Sequence, residues 1–112
     1  MTLSEARRRW SYLFCEKLLP KVKELTGCDY ALDETANHQG TGHRPGSLHY
    51  DGCAGDLLLF RNGVWLKDTE HYKLIGEFWE SLDKDCHWGG HFSKPDGDHF
   101  SYAPIELFAG RQ

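Results

Sequence analysis

Ser47-Leu48-His49-Tyr50-Asp51-Gly52-Cys53-Ala54-Gly55-Asp56 runs directly into Leu57-Leu58-Leu59-Phe60, then Arg61-Asn62-Gly63, then Val64-Trp65-Leu66-Lys67. Asp56 to Phe60 is a short apolar run bounded by turn residues, which reads as a buried strand. Asn62-Gly63 is the strongest short-range hairpin signal, because glycine and asparagine tolerate the positive φ that tight hairpin turns require. Val64 to Lys67 is then the return strand. Working outward, Asp68 or Thr69 caps a helix to about Leu82, with Tyr72, Ile75, Phe78, Trp79 and Leu82 spaced by three and four. Trp88-Gly89-Gly90 reads as a tight turn, Lys94 to Asp98 as a loop, and His99 to Tyr102 as a last strand.

Upstream, Thr2-Leu3-Ser4-Glu5 matches a capping box. Trp10, Leu13, Phe14 and Lys17 follow at helical spacing, and Trp10 and Trp79 read as core. Pro20 should kink or restart the helix, Lys21 to Leu25 add a turn or two, and Gly27 stops it. Cys28 to Leu32 can form a short strand. Residues 33 to 46, rich in Asp, Asn, Thr, Gly and Pro, are loop chemistry. Two helices of unequal character mixed with short strands predict an α+β domain: a small antiparallel sheet with flanking helices.

The 112 residues are expected to form one domain, 1–112. With 39% hydrophobic and 27% charged residues, the chain is not a disordered tail, a collagen or a coiled coil. No apolar run approaches the ~18 residues of a membrane span. The first nine residues carry three arginines but no apolar h-region follows, so no signal peptide is expected. A net charge of −4 leaves no broad basic face, which argues against nucleic acid as a partner. Arg7-Arg8-Arg9 reads as a solvated helix face. Four dispersed cysteines without a C-x-x-C pair read as free thiols, and Cys53 as packing.

Chemistry concentrates in the histidines. Asp56 opens the strand, so its carboxylate sits at a rigid strand end, and His49, seven residues earlier, lies on the loop that leads in. Small residues at 52 and 54 let the connection fold the two side chains together. Imidazole and carboxylate are both Zn²⁺ ligands, and a catalytic zinc needs a third protein ligand plus an open position. Asp96-Gly97-Asp98-His99 offers His99 as that ligand, with Asp96 placed to exchange a proton with the attacking water. Taken singly, His49 is a surface loop histidine, Asp56 a strand-edge turn residue, and Asp96 and Asp98 turn carboxylates. The joint pattern is what points to a metal site, and Asp98 is the next candidate base should Asp96 not serve.

The pattern resembles the zinc D-alanyl-D-alanine carboxypeptidase and L-alanyl-D-glutamate endopeptidase family, which includes small phage endolysins. Ser47, His49, Gly52, Ala54 and Asp56 meet S-x-H-x-x-G-x-A-x-D at every fixed position. Trp88-Gly89-Gly90 followed by Asp96-x-x-His99-Phe100 meets the second element, and the resemblance covers roughly residues 37 to 103. It implies a Hedgehog/DD-peptidase-like fold, metal ligands His49, Asp56 and His99, a Zn²⁺ cofactor, Asp96 as general base, and Ser47 as a supporting or substrate-contacting residue. Family members often carry an arginine well upstream of the first zinc histidine. Here Gly42-His43-Arg44 is similar, but Arg44 lies only five residues before His49, so it is either a substrate-carboxylate or oxyanion ligand or a loop arginine in a surface ion pair.

The implied function is hydrolysis of an amide bond in the stem peptides of peptidoglycan by a zinc metallopeptidase. The expected form is an L-Ala–D-Glu endopeptidase acting as a phage or prophage endolysin. It would be monomeric, without nucleic-acid or membrane partners, and cytoplasmic until released to the wall. The alternatives are a D-Ala–D-Ala carboxypeptidase or dipeptidase of the same family, and a non-catalytic zinc-binding module on the same fold.

Overall fold

In the computed structural model, which describes residues 1–33 and 47–109, the expected capping box forms at the chain start. The Thr2 hydroxyl accepts from Glu5 N–H at 3.1 Å, and the Glu5 carboxylate accepts from Thr2 N–H at 3.2 Å. From this cap α1 runs Leu3–Tyr12, passes into a π-helical stretch, Leu13–Leu18, and continues as α2, Leu19–Thr26. Pro20 carries no amide hydrogen to continue the α ladder, and the widened turn lies just ahead of it. Trp10, Leu13, Phe14, Leu18 and Val22 all remain buried through the change of pitch.

The sheet is antiparallel, in the order β1-β2-β5-β4, with β3 also paired to β2. Its strands are β1 (Asp29–Leu32), β2 (Ala54–Arg61), β3 (Val64–Leu66), β4 (Cys86–Trp88) and β5 (His99–Tyr102). The expected α+β architecture is therefore present. β2 begins at Ala54 rather than Asp56, because Ala54, Gly55 and Asp56 pair with Ser101, Phe100 and His99 of β5. β4 replaces the early part of the expected Trp88 turn, and only Gly89–His91 form that turn, as one turn of 3₁₀ helix. A short α4, Ile105–Phe108, follows the last strand.

β3 and β5 succeed one another along the same edge of β2, opposite β1. Tyr72 fills the step between them: its hydroxyl accepts from Leu59 N–H at 3.0 Å and donates to Leu66 O at 2.7 Å. Tyr72 ends a 3₁₀ turn, Thr69–Tyr72, that leads into α3, Lys73–Leu82. Asp68 sits at the cap of that turn without a side-chain bond to it.

One face of the sheet carries the core. Leu57 and Leu59 of β2 and Phe100 of β5 are buried there with Trp10, Phe14 and Trp79. Trp10 stacks on Phe14 at 4.7 Å between ring centroids, and Phe14, Trp79 and Phe100 meet edge to face at 6.1 to 6.3 Å. Both of these indoles also satisfy their N–H on β5, Trp10 on Phe100 O at 3.1 Å and Trp79 on Ser101 O at 3.0 Å. Two helices thus grip the backbone of the strand that carries His99. Cys28, Cys53 and Cys86 are buried free thiols and Cys15 is an exposed one. No described helix is long and apolar enough to cross a membrane.

Candidate metal centre

Alternation along β2 sends Leu57 and Leu59 into the core and Asp56, Leu58 and Phe60 to the opposite face. His99 is the cross-strand partner of Asp56, so both side chains rise from that opposite face. His49 arrives from a tight turn. Tyr50 N–H bonds Ser47 O at 3.1 Å, Gly52 N–H bonds His49 O at 3.2 Å, and Cys53 N–H bonds Leu48 O at 3.0 Å. Gly52 has φ +74°, a left-handed conformation that closes this turn and that a side chain would strain. Leu48 anchors the turn in the core, and the Ser47 hydroxyl accepts from His49 N–H at 3.3 Å.

A further fastening comes from α1. Arg7 Nε donates to Asp51 O at 2.7 Å. Arg7 is therefore half-buried and tied to the histidine turn, not part of a solvated basic face; Arg8 and Arg9 remain exposed. The guanidinium's reach across 44 residues of sequence left no signal in the local pattern.

The three elements bring His49, Asp56 and His99 together, with one donor atom from each inside a 4.8 Å cluster. His49 Nε2 lies 3.3 Å and His99 Nδ1 3.8 Å from Asp56 Oδ1. Metal–ligand distances of about 2.0–2.2 Å place neighbouring donors of a tetrahedron about 3.3–3.6 Å apart, so the His49–Asp56 separation matches a shared ion and the His99–Asp56 separation exceeds that range by about 0.2 Å. Asp56 Oδ1 is buried and accepts no hydrogen bond among the described residues, while both histidines are almost fully buried. Two imidazoles and one carboxylate are a donor set that zinc takes in open catalytic sites, and the residues present fit it.

Two further carboxylates border the cluster. Asp96 and Asp98 each offer an oxygen within 4.8 Å of the others and of Asp56. Asp96 is exposed and Asp98 half-buried. Burial pushes the Asp98 carboxyl up to about 8, and its hydrogen bond with Asp96 and the charges of Asp56 and Asp96 act in the same direction. Their placement depends on Gly89. A Cβ there would stand 2.1 Å from Asp96 O and 2.8 Å from His99 Cβ, so only glycine permits the approach. Gly89 O accepts from Asp96 N–H at 2.8 Å, Trp88 Nε1–H donates to Gly97 O at 2.7 Å, and Phe92 lies 5.2 Å from the His99 ring. The Trp-Gly-Gly sequence is thus a seat for the Asp96–His99 turn.

The structure brings His49, Asp56, His99 and Asp96 to one place and sets Ser47 behind His49. Arg44 lies outside the described residues. Asp98, held in reserve on sequence grounds, sits inside the same carboxylate cluster as Asp96, a consequence of burial that its turn-like sequence did not signal. His91 is exposed at its ring, but Nδ1 is 2.9 Å from Glu80 Oε1, whose other oxygen accepts from Trp88 N–H at 3.2 Å.

The crystal structure of the Serratia marcescens L-Ala D-Glu endopeptidase ChiX is similar with a TM-score of 0.62 at 17% identity, over 96% of this chain and 90% of that one. At that identity the likeness establishes the fold. No curated protein matches the sequence significantly. A family profile described as D-alanyl-D-alanine carboxypeptidase matches residues 41–102, a stretch that holds the histidine turn, the whole of β2, the Trp-Gly-Gly seat and His99. On that match the chain belongs to the D-alanyl-D-alanine carboxypeptidase family.

Proposed function

We propose that residues 1–112 act as one zinc peptidase domain that cleaves the L-Ala–D-Glu bond of peptidoglycan stem peptides, in the cellular role of an endolysin. The observation that carries the reading is the convergence of His49, Asp56 and His99 beside the Asp96–Asp98 pair on the sheet face opposite Leu57 and Leu59. His49, Asp56 and His99 would hold the ion. When bound, Zn²⁺ supplies Lewis acidity to a carbonyl and makes water a nucleophile at neutral pH.

The chain's own residues supply the rest. Asp96, exposed at the border of the cluster, takes the proton of the attacking water and returns it to the departing amine. Asp98, half-buried in the same carboxylate cluster, stands beside the accepting carboxylate of Asp96. Ser47 keeps the His49 turn closed, and the two indoles on β5 keep His99 opposite Asp56.

The endopeptidase assignment is supported by the fold likeness to ChiX, itself an L-Ala D-Glu endopeptidase. The family description favours a second reading, removal of the terminal D-alanine. Mass spectrometry of purified peptidoglycan after digestion separates them. New termini at L-Ala and D-Glu, lost in chelator and restored by zinc, are expected. Loss of D-Ala alone establishes the second reading, and undiminished cleavage in chelator removes the metal from the account.

A further inference from the structure

Glu80 stands on α3, outside the carboxylate cluster, and both of its oxygens are engaged. Oε2 accepts from Trp88 N–H at 3.2 Å, and Oε1 lies 2.9 Å from His91 Nδ1. An ionised carboxylate only accepts, so His91 Nδ1 carries the hydrogen of the second contact. The two donors mark the ends of one segment. Trp88 is the last residue of β4, and His91 closes the 3₁₀ turn Gly89–His91. β4 ends the sheet, and its Trp88 N–H finds an acceptor on the adjoining helix rather than on another strand. The Glu80 side chain is 29% exposed, which limits the competition from water that makes most surface ion pairs weak.

The same face of α3 holds the Trp88 ring. Gly76 precedes Glu80 by four residues, one turn along the helix. A Cβ at Gly76 or at Gly90 would overlap the indole, so the ring lies against the backbone of both the helix and the turn. Its N–H reaches Gly97 O at 2.7 Å, and the His91 ring meets it edge to face at 5.0 Å.

We propose that Glu80 is a positioning residue for the Asp96–His99 turn, acting by fastening Trp88 and His91 at the two ends of the Trp-Gly-Gly seat. The proposal rests on the roles given above to Asp96 and His99. Between the fastened ends, Gly89 O accepts from Asp96 N–H at 2.8 Å, and Gly89 approaches His99 too closely to admit a Cβ. A shift of residues 88–91 against α3 therefore moves the proton acceptor and one metal ligand together. α3 also holds β5, through Trp79 Nε1–H to Ser101 O at 3.0 Å. One helix thus sets both the strand that carries His99 and the turn that carries Asp96. What the fastening needs is two partner atoms at Glu80, not its charge. In Glu80→Gln the amide oxygen can accept from Trp88 N–H, and the amide nitrogen can donate to His91 Nδ1 once the imidazole hydrogen has moved to Nε2. The partner of a neutral imidazole decides which nitrogen carries its hydrogen. Glu80→Met keeps the length and loses both contacts.

The test compares zinc-loaded wild type, Glu80→Gln and Glu80→Met on N-acetylmuramyl-L-Ala–D-Glu–diaminopimelate, well below their melting temperatures. Glu80→Met is expected to lower kcat about 10-fold or more, with KM within about twofold and zinc near one ion per chain. Glu80→Gln should stay within about threefold of wild type. Two readouts need no turnover. Long-range ¹H–¹⁵N spectra at alkaline pH should show the His91 hydrogen on Nδ1 in wild type and on Nε2 in Glu80→Gln. Hydrogen exchange at the Asp96 amide should accelerate about 10-fold more in Glu80→Met than exchange at the Leu59 amide, which Tyr72 holds at the far end of β2. Unchanged kcat and Asp96 exchange in Glu80→Met overturn the proposal. Equal acceleration at Asp96 and Leu59 also overturns it, since Glu80 would then add only global stability. So do equal losses of kcat in Glu80→Gln and Glu80→Met. A wild-type protein that leaves the L-Ala–D-Glu bond intact refutes the endopeptidase reading, while the exchange and tautomer readouts still decide whether Glu80 holds the turn.

Discussion

Gly89→Ala tests the seat of the Asp96–His99 turn directly. The added methyl would stand 2.1 Å from Asp96 O and 2.8 Å from His99 Cβ, against a closest approach near 3.0 Å for a real Cβ. The backbone at Asp96 must therefore retreat by about 1 Å, the difference between the required and available separation. That retreat strains two bonds made by the same peptide groups, Asp96 N–H to Gly89 O at 2.8 Å and His99 N–H to Asp96 O at 3.1 Å. Overpacking of this kind costs about 1–3 kcal/mol, which lowers Tm by roughly 4–15 °C in a chain of this size. A displacement of about 1 Å at a catalytic group costs on the order of 100-fold in rate, so kcat/KM should fall by about two decades at temperatures where the variant is folded. Gly27→Ala is the control. Its φ of +71° makes a side chain strained, but nothing lies within 4 Å, so it should lose about 1 kcal/mol and keep wild-type kcat/KM. Differential scanning calorimetry and steady-state muropeptide cleavage measure both quantities. A Gly89→Ala protein with unchanged Tm and unchanged kcat/KM would show that the turn does not depend on this approach.

Three further outcomes follow from the same geometry. Asp96→Ala should lower kcat by about 10²- to 10⁴-fold while zinc, measured by atomic absorption, stays near one ion per chain; retained turnover would transfer the base role to Asp98. Zinc added to chelator-treated protein at 100 times its Kd should stabilise folding by about 2.7 kcal/mol, read as a rise in Tm, and His49→Ala should abolish that rise. A zinc-dependent shift that survives the substitution would remove His49 from the ligand set. Tyr72→Phe should cost about 1–3 kcal/mol in urea unfolding, since Leu59 N–H loses its acceptor and Leu66 O its donor at the junction of β3 and β5. A loss below about 0.5 kcal/mol would mean that other groups satisfy that edge.

Much of this arrangement is legible in sequence because it is local. The Thr2–Glu5 box, the Asn62-Gly63 hairpin and the alternation of Asp56, Leu58 and Phe60 against Leu57 and Leu59 each need only a few consecutive residues. The family resemblance carried by Ser47, His49 and Asp56 brought the first half of the candidate site into view, again from a few neighbouring residues. What escaped depends on partners far along the chain. β4 is three residues long and exists because β5 pairs with it, so Trp88 read as the start of a turn. Arg7 looked like one of three solvated arginines until α1 lay beside residue 51. Asp98 resembled its neighbour Asp96 in every local respect and differs by burial alone. The π stretch before Pro20 keeps one apolar stripe aligned, and an ordinary helical reading of Trp10, Leu13 and Phe14 does not distinguish it.

The bond from Arg7 to the residue 51 carbonyl also has a practical side. The first helix begins at a cap only two residues from the chain start, and Met1 Sδ lies 3.9 Å from the Tyr102 hydroxyl at the end of β5. Substitutions in this first turn would therefore act both on the helix that steadies the His49 loop and on the strand that presents His99. Protein destined for kinetics or metal titration should keep Met1 and the Thr2–Glu5 cap unaltered.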